Sequence, residues 1–287
     1  MNKIFILFLL LFTMTFSAFA QNYRIFDGKG NPSDLDKILE TVGKSDVVFL
    51  GEQHDDSVAH KLQFEIFKSA VEKYGADRKP ALSLEMFERD VQTVLDEYLQ
   101  DLITEKHFLA SSRPWNNYET DYRPLVEFAK EKNLPVIAAN APRRYVNMVS
   151  RLSKNSLERL SPEAKKWLAP TPFPASSKTY SDKFNALMGG HGSSNILASQ
   201  TLWDATMAHS IAENLKKDSL IIHLNGSFHT ENRLGTVEQL LKYKPKTRIL
   251  VVTMRYENDF QNFDPGKHIN LGDFVILTDA KLTRSSK

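Results

Sequence analysis

Two short apolar runs in this chain each end in Gly-x-x-His, and they constrain the fold more than any other feature. The first is Asp46-Val47-Val48-Phe49-Leu50-Gly51-Glu52-Gln53-His54. The second is Ser219-Leu220-Ile221-Ile222-His223-Leu224-Asn225-Gly226-Ser227-Phe228-His229. Apolar runs this short, closed by glycine, read as buried strands. Each delivers a histidine just past its C-terminal end. In open α/β sheets ligands bind outside the carboxyl ends of strands, so both histidines can face one cleft.

The intervening chain supports that frame. Further buried strands are predicted over Ala81–Met86, Leu134–Ala139, Arg248–Met254 and Asp273–Leu277. Helical spacing is predicted from Asp55, Asp56 or Ser57 to about Tyr74, then over Val91–Leu102, Leu125–Lys132, 143–168 in two pieces, and Ile196–Lys217. Strands alternating with helices predict an α/β fold with a largely parallel central sheet flanked by helices. A helical and loop insertion over about 143–200 follows Leu134–Ala139, the third strand in chain order. Residues 21–45 read as a turn and a short helix. The stretch from Pro170 to Asn195 reads as a long loop containing Met188-Gly189-Gly190-His191-Gly192.

Met1-Asn2-Lys3, the apolar run Ile4–Phe16 and Ala18-Phe19-Ala20 have the form of a secretory leader cut after Ala20. The expectation is an exported protein, periplasmic or membrane-associated, with one domain over residues 21–287. The chain has no cysteine. That excludes disulfides, thiolate metal sites, cysteine nucleophiles and a lipid-modified cysteine after cleavage. A net charge of +2 gives no case for nucleic acid as a partner. Neither Gly-x-Gly-x-x-Gly nor a P-loop occurs.

Residues at the predicted strand ends form the candidate site: His54, Glu85, His229, Arg143 and Arg144. Glu85 closes an apolar strand, where a carboxylate needs a partner or ligand; the local alternative is an ion pair with Arg89. Adjacent Arg143 and Arg144 suit an anionic ligand group. His60, in the first turn of its helix, reads as helix surface. Two histidines with a carboxylate can hold a divalent metal or run acid–base chemistry, so a metal-dependent hydrolase using His54, Glu85 and His229 is one reading.

A second reading comes from a resemblance. Gly51-Glu52-Gln53-His54-Asp55-Asp56, Leu84-Glu85-Met86-Phe87-Glu88-Arg89-Asp90, Trp115-Asn116-Asn117-Tyr118, Asp121-Tyr122-Arg123-Pro124-Leu125, Asn140-Ala141-Pro142-Arg143-Arg144, Gln200-Thr201-Leu202-Trp203-Asp204 and Leu224-Asn225-Gly226-Ser227-Phe228-His229 resemble the ChaN family of haem-binding uptake proteins, placed with the Tiki and erythromycin-esterase-like superfamily. The resemblance runs in order through nearly the whole mature chain. It implies a binding protein for ferric haem in iron acquisition, a homodimer with two haems face to face, and an outer-membrane haem receptor as a further partner. It also implies one tyrosine ligand per iron. Tyr122, beside the cation Arg123, is the first candidate and Tyr118 the second, since phenolate ligation benefits from a nearby cation. His191 is the candidate propionate contact, with Lys183 and Lys178 behind it. Many family members are lipoproteins, and the lack of cysteine departs from that pattern.

Overall fold

The computed structural model describes residues 22–285, so the expected secretory leader lies outside the described residues. Seven strands make one sheet: β1 (Tyr23–Asp27), β2 (Val47–Glu52), β3 (Lys79–Glu88), β4 (Val136–Asn140), β5 (Ser219–Gly226), β6 (Ile249–Glu257) and β7 (Phe274–Asp279). Their spatial order is β1-β7-β6-β2-β5-β3-β4. All pairings are parallel except β1 with β7. The α/β expectation is met.

The two Gly-x-x-His strands are direct neighbours at the centre. Gly51 lies opposite Asn225 and Glu52 opposite Gly226. β3 flanks β5 on the other side. The carboxyl ends of β2, β5 and β3 therefore bring Glu52, Gly226 and Glu85 to one sheet edge. The chain passes from β2 outward to β3 and β4, then returns to β5 between β2 and β3. A crevice outside the strand ends follows from that reversal.

The strands are buried on both faces, which is why they read as unbroken apolar runs. Alternation sorts their side chains. Val48, Leu50, Leu82, Leu84, Ile222 and Leu224 pack with helix Ser57–Tyr74 and helix Arg123–Glu131 through Leu62, Ile66, Phe67, Val126 and Phe128. Val47, Phe49, Ile221 and Val251 face the other way, against helix Ser194–Asn214 and helix Thr236–Tyr243 through Met207, Ala208, Ile211, Val237 and Leu240. The segment between β4 and β5 adds its own cluster, Val146, Val149, Leu157, Leu168 and Phe173, on Leu202 and Ala205 of the long helix.

Three local expectations are corrected. Tyr23–Asp27, given no strand in the expected turn-and-helix entry segment, is a strand, with Ile25 and Phe26 buried beside β7. The stretch read as a loop holds helix Lys178–Leu187, whose Tyr180 and Phe184 are buried and whose cap Ser177 accepts from the Tyr180 N–H at 3.1 Å. His60 is not helix surface: it is buried under the sheet edge.

Candidate functional site

Glu52, the last residue of β2, is the hub of the first half of the site. It is fully buried. Its Oε1 accepts from His54 Nδ1 at 2.9 Å and from the Tyr122 hydroxyl at 2.6 Å. Its Oε2 lies 3.2 Å from Nδ1 of His60. On its other side the His60 ring meets Asp121 Oδ2 at 3.3 Å. Burial opposes ionisation of Glu52, but the hydrogen bond from His54 and the presence of His60 outweigh it and bring its pKa down to about 2. Burial likewise opposes protonation of His60, yet Glu52 and Asp121 carry its pKa up to about 9. A buried imidazolium thus sits between two carboxylates.

An ionised Glu52 can only accept. Nδ1 of His54 must therefore carry the proton in that hydrogen bond, and in the neutral ring the free lone pair lies on Nε2. Nothing in the protein hydrogen-bonds to Nε2 of His54 among the described residues. The His54 side chain keeps 28% of its surface exposed. Its ring stands edge-on to Trp115 with centroids 4.8 Å apart. Gly226 of β5 makes room for it, since a Cβ there would fall 2.8 Å from both Cε1 and Nε2.

The second half of the site is deeper. Glu85 Oε2 accepts from the Gly226 N–H at 2.7 Å, and its Oε1 lies 3.6 Å from His229 Nε2. His229 Nδ1 meets Asp204 Oδ1 at 2.7 Å. Asp204, on the long helix, also accepts from the Thr236 hydroxyl at 2.9 Å and from the Tyr180 hydroxyl. Burial works against a charged His229, but Glu85 and Asp204 raise its pKa to about 9. His223, inside β5, goes the other way: burial, with the charge of His229, lowers it to about 3, and it bonds Ser83 Oγ at 2.8 Å as a neutral core residue.

Beside His54 opens a cavity of about 900 Å³, lined by His54, Met86, Trp115, Arg113, Arg143 and Arg144 among others. Small-molecule sites span roughly 300–1,000 Å³, so this one accepts a large ligand. Arg113 pairs with Glu88 at 2.9 Å and Asp90 at 2.6 Å, and Arg144 with Asp90 at 2.5 Å. Arg143, exposed on the rim, has no acidic partner among the described residues.

His54, Glu85 and His229 do gather at one sheet edge, and Arg143 and Arg144 reach the cavity. The Glu85–Arg89 pair does not form; Arg89 binds Glu213 at 2.7 Å. Tyr122 and Tyr118 turn inward. Tyr122 is fully buried against Glu52, which with burial raises its pKa well above the ordinary value. The Tyr118 hydroxyl is buried without a hydrogen-bond partner, and burial raises its pKa too. Neither hydroxyl faces the cavity in this conformation. Arg123 is held by Glu105 at 2.5 and 3.0 Å, and exposed His191 is not in the cavity wall. Lys183 is taken up by Glu231 at 3.2 Å and Lys178 by Asp182 at 2.7 Å. Among the described residues no three His, Asp or Glu side chains converge where a metal ion could be held. Glu85, central to the metal reading, is instead committed to a backbone N–H and His229.

Glu52, His60, Asp121, Asp204 and Tyr180 were missed as site residues. Strand parity could have found Glu52, which shares a face with Val48 and Leu50.

A family model described as haem-binding uptake, Tiki superfamily, ChaN matches residues 38–240. No curated protein sequence matches the chain. Among solved structures, that of cofacial haem binding to ChaN of Campylobacter jejuni is 17% identical, covers 91% of this chain and 98% of its own, and has a TM-score of 0.65. An erythromycin esterase EreC mutant in its open conformation is 11% identical over 90% and 83% of the two chains, with a TM-score of 0.47. The type III effector HopBA1 is 15% identical over 85% and 93%, with a TM-score of 0.45. The chain belongs to the ChaN family of haem-binding uptake proteins in the Tiki superfamily.

Proposed function

We propose that this protein captures ferric haem for iron uptake, seating it in the cavity beside His54. The observation that carries this reading is the pairing of an apolar, aromatic wall with a cationic rim in one space of about 900 Å³. A porphyrin presents a broad apolar face and two carboxylates. Trp115, Pro114 and Met86 offer apolar contact, and Arg113, Arg143 and Arg144 offer cations. Arginine binds carboxylate through two parallel N–H groups. Of the three, Arg143 has its guanidinium uncommitted, so it is the first candidate for a propionate.

Haem supplies the iron centre and its colour; the chain supplies position and charge. A cavity with an exposed rim leaves one face of a flat ligand in contact with solvent. A second copy covering that face would bury it, which is our reason for proposing a homodimer in the loaded state. The leader-like start supports export, where haem handed on from an outer-membrane receptor would be met.

The test is titration of the purified mature chain with ferric haem, read by the visible spectrum and by sedimentation. Saturable binding with a shift to dimer is expected, and Arg143→Glu should weaken it about tenfold or more, as loss of a charge-assisted contact implies. Failure of the wild-type chain to retain equimolar haem through gel filtration refutes the reading. The hydrolase alternative would show instead as ester or peptide cleavage abolished by Glu85→Gln.

A further inference from the structure

We propose that the segment Thr283–Ser285, which follows β7, is a strap that holds the aromatic loop 113–122 closed along the cavity, whatever ligand the cavity takes, and that Asp121 is the residue on which it latches.

The loop is the irregular wall of the cavity. Arg113, Pro114, Trp115, Asn116 and Asn117 all line it, and none of the five belongs to a helix or strand. Arg113, at the end of helix Glu105–Ser112, takes φ 53° and ψ 49°, the left-handed region that a residue with a side chain rarely enters. At the other end Tyr118–Tyr122 forms a short π-helix, a rare element that recurs at functional sites. A segment bounded by two sparsely populated backbone geometries keeps its place only where the surroundings hold it. Asn117 supplies one hold: its amide donates to His54 O at 3.1 Å and to Asp121 Oδ2 at 2.7 Å.

Asp121 is buried, and its carboxylate is fixed from the far side. Oδ1 accepts from the Ser285 hydroxyl at 2.9 Å, and His60 Nε2 lies 3.3 Å from Oδ2. Asp121, His60 and Thr283–Ser285 line a second cavity of about 490 Å³, which shares no lining residue with the first. The strap therefore meets the loop from behind.

Three consecutive residues dock the strap. Ser57 Oγ donates to Thr283 O at 3.0 Å, and the Ser285 N–H donates to Asp55 O at 2.9 Å. The Arg284 guanidinium stands 3.5 Å from the ring centre of Tyr256 on β6 and 3.8 Å from Asp56 Oδ1. All three residues are exposed or half-buried, so polar bonds and one cation–π contact hold them rather than the core. Such a segment can open while the sheet stays folded. Once it opens, Asp121 Oδ1 has lost its donor and the carboxylate can turn into the second cavity. Asn117 then loses its fixed acceptor, and the wall it anchors is free to move.

The test is amide hydrogen exchange of the full mature chain, read by mass spectrometry of peptides covering 113–122. Ser57→Ala and Arg284→Ala remove strap contacts, and neither side chain has a hydrogen bond or ion pair to the loop among the described residues. Each should speed exchange over 113–122 by roughly threefold to tenfold, the factor that one lost hydrogen bond or cation–π contact implies for a local opening. Ser285→Asp, which sets a carboxylate against Asp121, should speed it most, and Ser285→Thr, which keeps the hydroxyl, should leave it as in the wild type. Exchange over β5 and helix Ser194–Asn214 should not change in any of them. If Ser285→Asp does not fold, Arg284→Ala, at a half-buried side chain, carries the same comparison. Exchange over 113–122 that stays at the wild-type rate in the Ser57→Ala/Arg284→Ala double variant overturns the proposal. So does a rise spread evenly over the chain, which would make the segment a general support of the fold and not a latch on this wall.

Discussion

Gly226→Ala probes whether His54 is held as tightly as the geometry implies. Gly226 has φ −59° and ψ 133°, a conformation open to any residue, so the backbone itself tolerates alanine. Space is what resists. The new methyl would stand 2.8 Å from Cε1 and Nε2 of His54 and 3.7 Å from Glu85 Oε2. Carbon contacts are comfortable from about 3.5 Å, so the ring must retreat by roughly 0.7 Å. An exposed, unattached side chain would do this at little cost. His54 is tied to Glu52 at 2.9 Å and abuts Trp115, so the retreat stretches a hydrogen bond to a charged group or pushes on β5. Overpacking of this kind costs about 1–3 kcal/mol, which for a domain of this size lowers the melting temperature by roughly 2–4 °C per kcal/mol. The assay is a double-mutant cycle by thermal or urea unfolding of the apo protein. Removing the ring in His54→Ala removes the clash, so alanine at 226 should then cost at least about 1 kcal/mol less than in the wild type. Equal cost in both backgrounds, or a Gly226→Ala protein that melts with the wild type, refutes the claim that the ring is pinned.

Other consequences are as direct. His60 and His229 each titrate near pH 9 in the folded chain against 6.5 for the free side chain. The folded state binds those protons more tightly, so their stabilisation is complete below pH 6.5 and is lost as pH rises through 9, by a few kcal/mol at most. A urea midpoint that does not fall between pH 6.5 and 9.5 contradicts this. Asp204→Asn leaves the His229 imidazolium short of a counter-charge and should cost about 3–5 kcal/mol, since breaking a buried pair strands its partner; a melting temperature within 2 °C or so of the wild type would exclude it. Gln92 covers the edge strand β4, donating to Val136 O at 2.8 Å and accepting from the Ala138 N–H at 2.7 Å. Gln92→Ala should lose about 1–2 kcal/mol in urea unfolding and aggregate more readily at that edge.

The buried parallel strands were legible because they are apolar on both faces and end in glycine or a polar residue. β1 was not. It lies on the sheet's edge, only Ile25 and Phe26 of Tyr23–Asp27 are buried, and the turn residues after it dominate the local pattern. Helix Lys178–Leu187 was hidden for a related reason. Only Tyr180 and Phe184 face inward, so helical periodicity rests on one pair of side chains in a polar segment. The adjacency of β2 and β5 was not in the pattern at all. Repeated motifs suggest a shared cleft, but the order of strands is decided by where the segment between β4 and β5 packs.

Within the site, the histidines and Glu85 were visible as polar residues at strand ends, whereas the group that organises them was passed over inside the motif itself. Parity reaches it. Val48 and Leu50 point to the face covered by helix Ser57–Tyr74, and two residues on, Glu52 must point there too. A carboxylate on that face cannot stay ionised without partners. The helix's first turns supply them on its buried side: His60 lies 3.2 Å from Glu52, while Gln63, three residues on, donates to Leu50 O at 3.1 Å. Once Glu52 is ionised and buried, His54 has one tautomer open to it in that bond and Tyr122 has an acceptor. The Tyr122 hydroxyl, 2.6 Å from Glu52 Oε1, closes that buried network, so the period of a strand and the cost of an unpaired charge together place Glu52 at its centre.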